Sequence, residues 1–271
     1  MEKTLKLPDR FKTFWYLSKA PSLNDKLSVI GFFLKRLFSI SADDELKVKI
    51  GGGLIVHFLP SQGELRPYND IFLNDGFDRY TDFAPENCKV VFDCGANIGL
   101  FTLRAALNRK TEVFSFEPNP AVFKRLLKNI DENRLDKVRP LQAAVGSACK
   151  KAAFSSASSS PTGKIQEETG GADNESVEVE IVTLDSVTDR FGLSSIDLIK
   201  LDIEGHEYEA LLGAENTLAR TGRLVLEYHG EELRDKCGSF LIDKGFEMIH
   251  EIPGYQFYEN RSSADRPAGV N

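Results

Sequence analysis

Asp93, Gly95, Asn97 and Gly99 stand within the run Val90-Val91-Phe92-Asp93-Cys94-Gly95-Ala96-Asn97-Ile98-Gly99-Leu100-Phe101-Thr102. An apolar strand-like stretch ends in an acid, a glycine loop turns, and an amphipathic helix-like stretch begins. In an open parallel sheet such a loop falls at a carboxyl strand end, where these sheets take their ligands. Gly95 and Gly99 permit positive φ and close approach of backbone to a ligand. The position two after Gly95 is Asn97, so the G-x-G-x-x-G loop that seats a pyrophosphate is absent. Asp93 points the same way, because a carboxylate beside the loop repels phosphate and attracts an amino group. Glu117 ends the next apolar run and is placed to accept the hydrogens of two ribose hydroxyls.

A second run carries groups that handle protons. In LIKLDIEGHE, residues 198–207, strand alternation puts Lys200 and Asp202 on one face. Two charges on a central strand need a polar cavity or each other, so a structural Lys200–Asp202 pair and a functional Asp202 both stay open. Glu204, His206 and Glu207 then line the mouth at the start of the following helix. On the next strand Glu227 and His229 share a face near the carboxyl end. His229 is the candidate general base, since imidazole titrates near neutrality and a carboxylate can orient it; a hydrogen-bonded structural histidine is the alternative. Asp202, Glu204, His206 and Glu207 are also donor types for a divalent metal, but one short run fixes no coordination geometry, and no metal ligand is assigned. His57 and His250 lack a surrounding motif and read as structural or exposed. Cys94, inside the loop, is placed to sense alkylation there.

The elements that position these groups follow from periodicity. From about residue 89, short β-branched runs alternate with helical ones, the pattern of an α/β fold with a parallel sheet. Strands are expected at 90–93, 113–117, 138–143, 198–203 and 224–229, and helices at 100–107, 121–133 and 208–219. The segments around Pro253-Gly254 read as strand, turn, strand, an antiparallel pair at the sheet edge. Upstream, 47–50 and 54–59 flank Gly51-Gly52-Gly53 and predict a hairpin. The first 45 or so residues carry Phe11, Phe14, Trp15, Leu17, Leu27, Ile30, Phe33, Leu34 and Leu37 at helical spacing. They predict a packed helical cap, with a membrane-surface helix as the sharper alternative because Lys26, Lys35 and Arg36 flank the stripe. Residues 155–175, SSASSSPTGKIQEETGGADNE, are too polar to build a core and predict a flexible loop, either a lid or a passive insertion. The expected organisation is a cap and hairpin over 1–85, a catalytic domain over 86–260 and a frayed tail over 261–271.

Composition bounds the partners. The 271 residues are 41% hydrophobic and 28% charged with a net charge of -7, ordinary for a globular protein and unfavourable for one that neutralises many phosphates. Nucleic acid is therefore not an expected partner. Cys88, Cys94, Cys149 and Cys237 are scattered without a C-x-x-C pair, which suggests reduced thiols and a cytoplasmic site. The N-terminus has no signal-like apolar core, and no stretch reaches the ~20 apolar residues of a membrane span.

The order acid, loop, helix, strand, acid resembles the nucleoside site of class I S-adenosylmethionine-dependent methyltransferases. The stretches VFDCGANIGLFT, SFEPNP, LQAAVG, VTLDSV, IDLIKLDIEGHEYEALLGA and RLVLEYH resemble, more narrowly, the FkbM family of these enzymes. The resemblance covers about residues 90–257. It implies a Rossmann-like, seven-stranded, mostly parallel sheet with an antiparallel last strand. It also implies S-adenosylmethionine as cofactor and O-methylation of a sugar, glycan, glycolipid or polyketide-like hydroxyl. On that basis Asp93, Gly95, Asn97 and Gly99 form the cofactor loop, Glu117 the ribose contact and Asn119 a nearby support. Gln142, Ala143 and Ala144 border the adenine. Asp202 lies beneath the methionine moiety or the acceptor, and Glu204, Glu207 and His229 complete the acceptor side. A nicotinamide-dependent oxidoreductase and a non-catalytic nucleoside-binding scaffold are the alternatives.

Overall fold

Runs of β-branched and aromatic residues, short enough for strands and bounded by glycine or polar loops, set the frame of the protein. The computed structural model describes residues 45–59, 80–155, 164–166 and 176–261, with Lys26, Leu27, Ile30 and Ile71. In chain order the elements begin with β1 (Leu46–Lys49), β2 (Ile55–Phe58), β3 (Val90–Cys94) and α1 (Leu100–Ala105). β4 (Glu112–Phe116), α2 (Pro120–Glu132), β5 (Val138–Leu141) and β6 (Ala143–Val145) follow. Then come β7 (Lys150–Ser155), β8 (Lys164–Gln166), β9 (Ser176–Val182), α3 (Leu184–Arg190) and β10 (Ile196–Leu201). The chain continues through α4 (Glu207–Leu212), α5 (Glu215–Leu218), β11 (Thr221–Glu227), α6 (Glu231–Asp243), β12 (Phe246–Ile252) and β13 (Tyr255–Asn260).

Seven strands form the main sheet in the order β12-β13-β11-β10-β3-β4-β5. β11, β10, β3, β4 and β5 pair in parallel, and β13 runs antiparallel to both β11 and β12. The expected α/β sheet with its antiparallel last strand is thus present, β13 slotting between β12 and β11. Strand alternation sends successive side chains into two apolar layers. Val91, Val113, Leu198 and Val225 pack with Phe101, Leu103 and Leu126 on one side. Phe92, Phe114, Ile199, Leu224 and Leu226 pack with Leu184, Leu211 and Leu241 on the other. Among the described residues no helix is long and apolar enough to cross a membrane.

Three departures from the sequence reading have physical causes. The strand expected over 138–143 breaks at Gln142: β5 stays in the main sheet, while β6 pairs in parallel with β9 in a separate four-stranded sheet of order β6-β9-β7-β8. The helix expected over 208–219 breaks at Gly213, where an added Cβ would lie 2.1 Å from the Gly146 carbonyl oxygen, so helix and second sheet meet only through a glycine. Of the polar segment 155–175, Ser155 ends β7 and β8 pairs antiparallel with that strand; residues 156–163 and 167–175, nearly all of the expected N-terminal cap and the tail after Arg261 lie outside the described residues.

The hairpin forms as expected, β1 pairing antiparallel with β2 around Gly51–Gly53. It docks on α2 through two asparagines that bond to its backbone. Asn133 accepts from the Ile55 amide and donates to the Ile55 carbonyl. Asn129, fully buried, accepts from the His57 amide at 2.8 Å and donates to the Ile98 carbonyl at 2.8 Å, tying hairpin, helix and glycine loop together. His57 is structural: Glu45 and Glu132 face its two ring nitrogens. His250 stacks on Tyr80 with ring centroids 3.7 Å apart.

Removing a buried amide leaves both of its backbone partners unpaired, at about 1–3 kcal/mol each. Asn129→Ala should lower the unfolding free energy by about 3 kcal/mol in urea melts. Lys47→Ala, which breaks an exposed pair with Glu132, should change it by less than about 1 kcal/mol.

Candidate active site

The glycine loop turns between β3 and α1 at the carboxyl edge of the main sheet. Gly95 has φ +81°, and a Cβ there would sit 1.7 Å from the Asp202 carbonyl oxygen, so the loop presses directly on the end of β10. The Gly95 and Ala96 amides both donate to the Phe116 carbonyl at 3.0 and 2.8 Å, anchoring the loop to the end of β4. Asn97 takes the left-handed region at φ 52°, and its side chain accepts from the Ile98 amide. Gly99 closes the turn, its amide donating to the Ala96 carbonyl.

Glu117 holds the outer wall of this loop. Its Oε2 accepts from the Asn97 amide at 3.0 Å and its Oε1 from the Asn119 amide at 2.8 Å. Burial pushes its carboxyl up to about 7, against the pull of the Asn119 and Asn97 amides. Each oxygen keeps a second lone pair that can accept a hydroxyl hydrogen. Asn119 caps α2, accepting from the Ala121 and Val122 amides, so its part is to fix the Glu117 corner. Beyond it, Gln142 is exposed and Ala143 and Ala144 are buried where the chain passes from one sheet to the other.

Beneath the loop lies a buried charge cluster. Lys200 is 6% exposed, and its Nζ lies 3.1 Å from Asp202 Oδ2, 3.4 Å from Asp93 Oδ1 and 3.3 Å from the Gly95 carbonyl. Burial opposes its charge, yet the Asp202 and Asp93 carboxylates outweigh burial and hold it protonated. Asp93 is fully buried, its Oδ2 accepting from Thr102 Oγ1 at 2.6 Å. The expectation that Asp93 itself meets a ligand's amino group is therefore corrected: the cation it meets is Lys200, and it acts on the loop from below. Cys94 is likewise fully buried, and burial raises its thiol pKa, which removes the expected alkylation-sensing thiolate.

The acceptor-side residues converge above this cluster. Glu204 and Gly205 both take positive φ, which aims the Ile203 and Gly205 amides at Glu207 Oε1 at 3.2 and 3.1 Å. The same Glu207 oxygen lies 2.9 Å from His229 Nδ1, and Glu204 Oε2 lies 3.3 Å from His229 Nε2. Glu207 is fully buried, and its Oε2 has no hydrogen-bond partner among the described residues. The hydrogen bond to Glu207 raises the His229 pKa to about 9, with the Glu207, Glu204 and Asp202 charges acting in the same sense. The expected general base is thus an imidazolium at neutral pH, both of its nitrogens facing carboxylates. His206 is the N-cap residue of α4 without a side-chain cap bond.

Glu227 was legible as a neighbour of His229 on one strand face but was not placed in the site. The parallel register Leu201↔Leu226 brings Asp202 and Glu227 side by side at the carboxyl ends of β10 and β11. Burial pushes the Glu227 carboxyl up to about 7, the Asp202 charge adding to it and Lys200 opposing. Asp202, Glu227 and His229 each offer one ligand atom within 4.8 Å of the others, a set able to hold a metal ion, although Lys200 already lies against Asp202 as a counter-ion. These are not the four residues from which the sequence raised a metal: only Asp202 is common to both.

The model of the methyltransferase FkbM domain matches residues 93–257. Among curated proteins, the hexuronic acid methyltransferase AglP of Haloferax volcanii is 31% identical over 144 residues, covering 53% of this chain and 57% of that protein. The 2-O-methyltransferase NoeI of Sinorhizobium fredii is 28% identical over 159 residues, covering 53% of this chain and 65% of that one. The chain thus matches less than two thirds of the length of either relative. A crystal structure of methyltransferase FkbM from Methylobacillus flagellatus aligns over 93% of this chain and 58% of that one, at 16% identity and a TM-score of 0.48.

A histidine whose pKa rises from 6.5 to about 9 on folding stabilises the protein fully below about pH 6.5 and loses that contribution as pH climbs through about 9. Urea melts between pH 6 and 9.5 should therefore show a fall in stability that is flatter in His229→Gln. Identical slopes in the two proteins would mean that the Glu207–His229 pair is not formed.

Proposed function

The chain belongs to the FkbM methyltransferase family, and from that premise we propose that it transfers a methyl group from S-adenosylmethionine to a hydroxyl oxygen of a sugar, glycan or related polyhydroxylated small molecule. The observation that carries this reading is a juxtaposition at one sheet edge. A glycine loop without a pyrophosphate seat is tied to Glu117, and a cluster of Asp202, Glu204, Glu207 and Glu227 stands on the neighbouring strand ends.

The residues present fit such a donor. Glu117 keeps lone pairs for ribose hydroxyls, and Asn97 and Asn119 hold it in place. Gln142, Ala143 and Ala144 lie beyond β5, on the side where an adenine would rest against exposed Gln142 and two small neighbours. Four carboxylates around Lys200 and His229 leave a local excess of negative charge, which favours a sulfonium and an ammonium group over a phosphate. The bound donor supplies an electrophilic methyl group. The protein's part is then to align the acceptor oxygen, to exclude competing water and to take up one proton.

The names of the two curated relatives, one for a hexuronic acid and one for a 2-O-position, support a sugar hydroxyl as acceptor. The net charge of -7 supports a small molecule over nucleic acid. A nicotinamide oxidoreductase is disfavoured because Asn97 stands where a dinucleotide loop needs glycine. No observation favours a non-catalytic scaffold.

A ligand at 100 times its dissociation constant adds about 2.7 kcal/mol of stability. S-adenosylmethionine and S-adenosylhomocysteine should each raise the melting temperature while NAD does not. With labelled donor, a panel of free and glycosidic hexuronic acids, neutral sugars and polyols should yield an alkali-stable methyl ether. Stabilisation by NAD alone, or methylation only at a carboxylate as an alkali-labile ester, would overturn the reading.

A further inference from the structure

We propose that Tyr255, with Ile252 beside it, is the platform on which the acceptor lays the apolar face of a sugar ring, which narrows the acceptor class from polyhydroxylated small molecules to pyranose rings; this rests on the O-methyl transfer reading. The placement comes from strand pairing across the outer half of the sheet. Glu227 on β11 pairs with Tyr255 on β13, and Tyr255 pairs with Ile252 on β12. On the inner side Asp202 follows the Leu201↔Leu226 pair and brings a carboxylate oxygen within 4.8 Å of one on Glu227. Residues paired across neighbouring strands point to one face, so Asp202, Glu227, Tyr255 and Ile252 form a row along the carboxyl edge. All four are partly exposed, whereas Lys200, Val225 and Phe257 in the row beneath are buried. The edge is thus a ledge, a half-open row standing on a closed one.

Neighbouring contacts hold this ledge in place. The turn between β12 and β13 is tied to the end of β11 twice: the Tyr228 amide donates to the Gly254 carbonyl at 3.0 Å, and the Gly254 amide donates to Tyr228 Oη at 3.2 Å. Tyr255 follows Gly254 directly, and with Ile252 it packs on the apolar layer that contains Val225 and Phe257. In the row beneath, His250 pairs with Phe257, and Tyr80 reaches both. Tyr80 is stacked on the His250 ring with centroids 3.7 Å apart and meets Phe257 edge-on at 5.1 Å. An aromatic ring fixed by its neighbours offers a flat surface with a negative π face, and little freedom remains to be lost when a ligand covers it.

Spacing selects the occupant. The donor site takes up the ends of β3 and β4 through the glycine loop and Glu117, so from the Asp202–Glu227 position an acceptor extends toward β13 and β12. His229, its ring nitrogens facing Glu207 and Glu204, bounds the site beyond Glu227. Neighbouring strands lie about 5 Å apart, so a hydroxyl held at Asp202 and Glu227 sets the body of its molecule one strand spacing away, over Tyr255. There a pyranose presents a face of C–H groups, polarised slightly positive, to the negative face of the aromatic ring, while its hydroxyls stay at the rim. An acyclic polyol carries the same hydroxyls without such a face, and it must freeze several rotatable bonds to lie flat. Tyr255 therefore discriminates by the shape of the acceptor and leaves the chemistry of the hydroxyl untouched.

The test has one arm that reads binding and one that reads transfer. The complex with S-adenosylhomocysteine is offered methyl β-glucopyranoside, methyl β-galactopyranoside and glucitol, and saturation of the aromatic protein resonances is followed into each ligand by NMR. The glycosides should receive saturation on the C–H protons of one ring face, and glucitol should receive none. The transfer should vanish in Tyr255→Ala and persist in Tyr255→Phe. No saturation of either glycoside, the same pattern in Tyr255→Ala, or equal saturation of glucitol overturns the proposal. With an acceptor that the wild-type protein methylates, Tyr255→Ala should raise KM about tenfold, the equivalent of about 1.4 kcal/mol, with kcat little changed, while Tyr255→Phe keeps the wild-type KM. Both variants should keep the melting-temperature rise with S-adenosylhomocysteine, which separates loss of the platform from loss of the fold. An unchanged KM in Tyr255→Ala overturns the proposal. Ring-face saturation that depends on Tyr255, in a protein that methylates no glycoside on oxygen, places the failure in the O-methyl reading and not in the platform.

Discussion

One buried ammonium group holds the carboxyl edge of the sheet together. Lys200 Nζ reaches Asp93 on β3, Asp202 just past β10 and the carbonyl of Gly95 in the loop, all within 3.4 Å. A buried charge pair is strongly destabilised when one member is lost, because the other is left uncompensated. Loop, central strand and following turn are therefore constrained as a unit. Gly95 completes the constraint from above, since the space where a Cβ would stand is filled by the Asp202 carbonyl. This is why Asp93, which reads in sequence as a ligand-facing acid, lies beneath the loop and shapes it.

The same cluster divides two roles that imidazole and carboxylate often exchange. Glu207 collects two backbone amides and His229 Nδ1 on a single oxygen, which fixes the turn after β10 and charges the histidine. Burial pushes the Glu227 carboxyl up to about 7, the Asp202 charge adding to it and Lys200 opposing. The imidazole, whose ordinary pKa lies near neutrality, is thus held as a cation by its carboxylate partners, while burial raises the carboxyl of a neighbouring acid.

Much of the frame was legible in the chain because it depends on short-range patterns. The acid and glycine spacing of residues 93–99, the Lys200/Asp202 alternation and the Pro253-Gly254 turn each lead to the element observed. What was not legible depends on contacts distant in sequence. The break of the third strand at Gln142 follows from β6 pairing with β9, more than thirty residues on, and the break at Gly213 follows from its contact with Gly146. Glu227 stood in plain view at the end of RLVLE, but its weight became visible only when the register with β10 set it beside Asp202. The inversion of His229 likewise needed the positive-φ turn at Glu204 and Gly205 that delivers Glu207 to its ring.

The central claim is that the loop of residues 95–99, Glu117 and the Asp202–Glu227 pair form one site for a methyl donor and its acceptor. A crystal structure of the complex with S-adenosylhomocysteine tests it most directly. The account predicts the ribose hydroxyls within hydrogen-bond distance of Glu117, the adenine toward Gln142 and the sulfur facing Asp202 and Glu227. A nucleoside bound away from the carboxyl edge, or a Glu117 bonded only to the Asn97 and Asn119 amides in the complex, would contradict it.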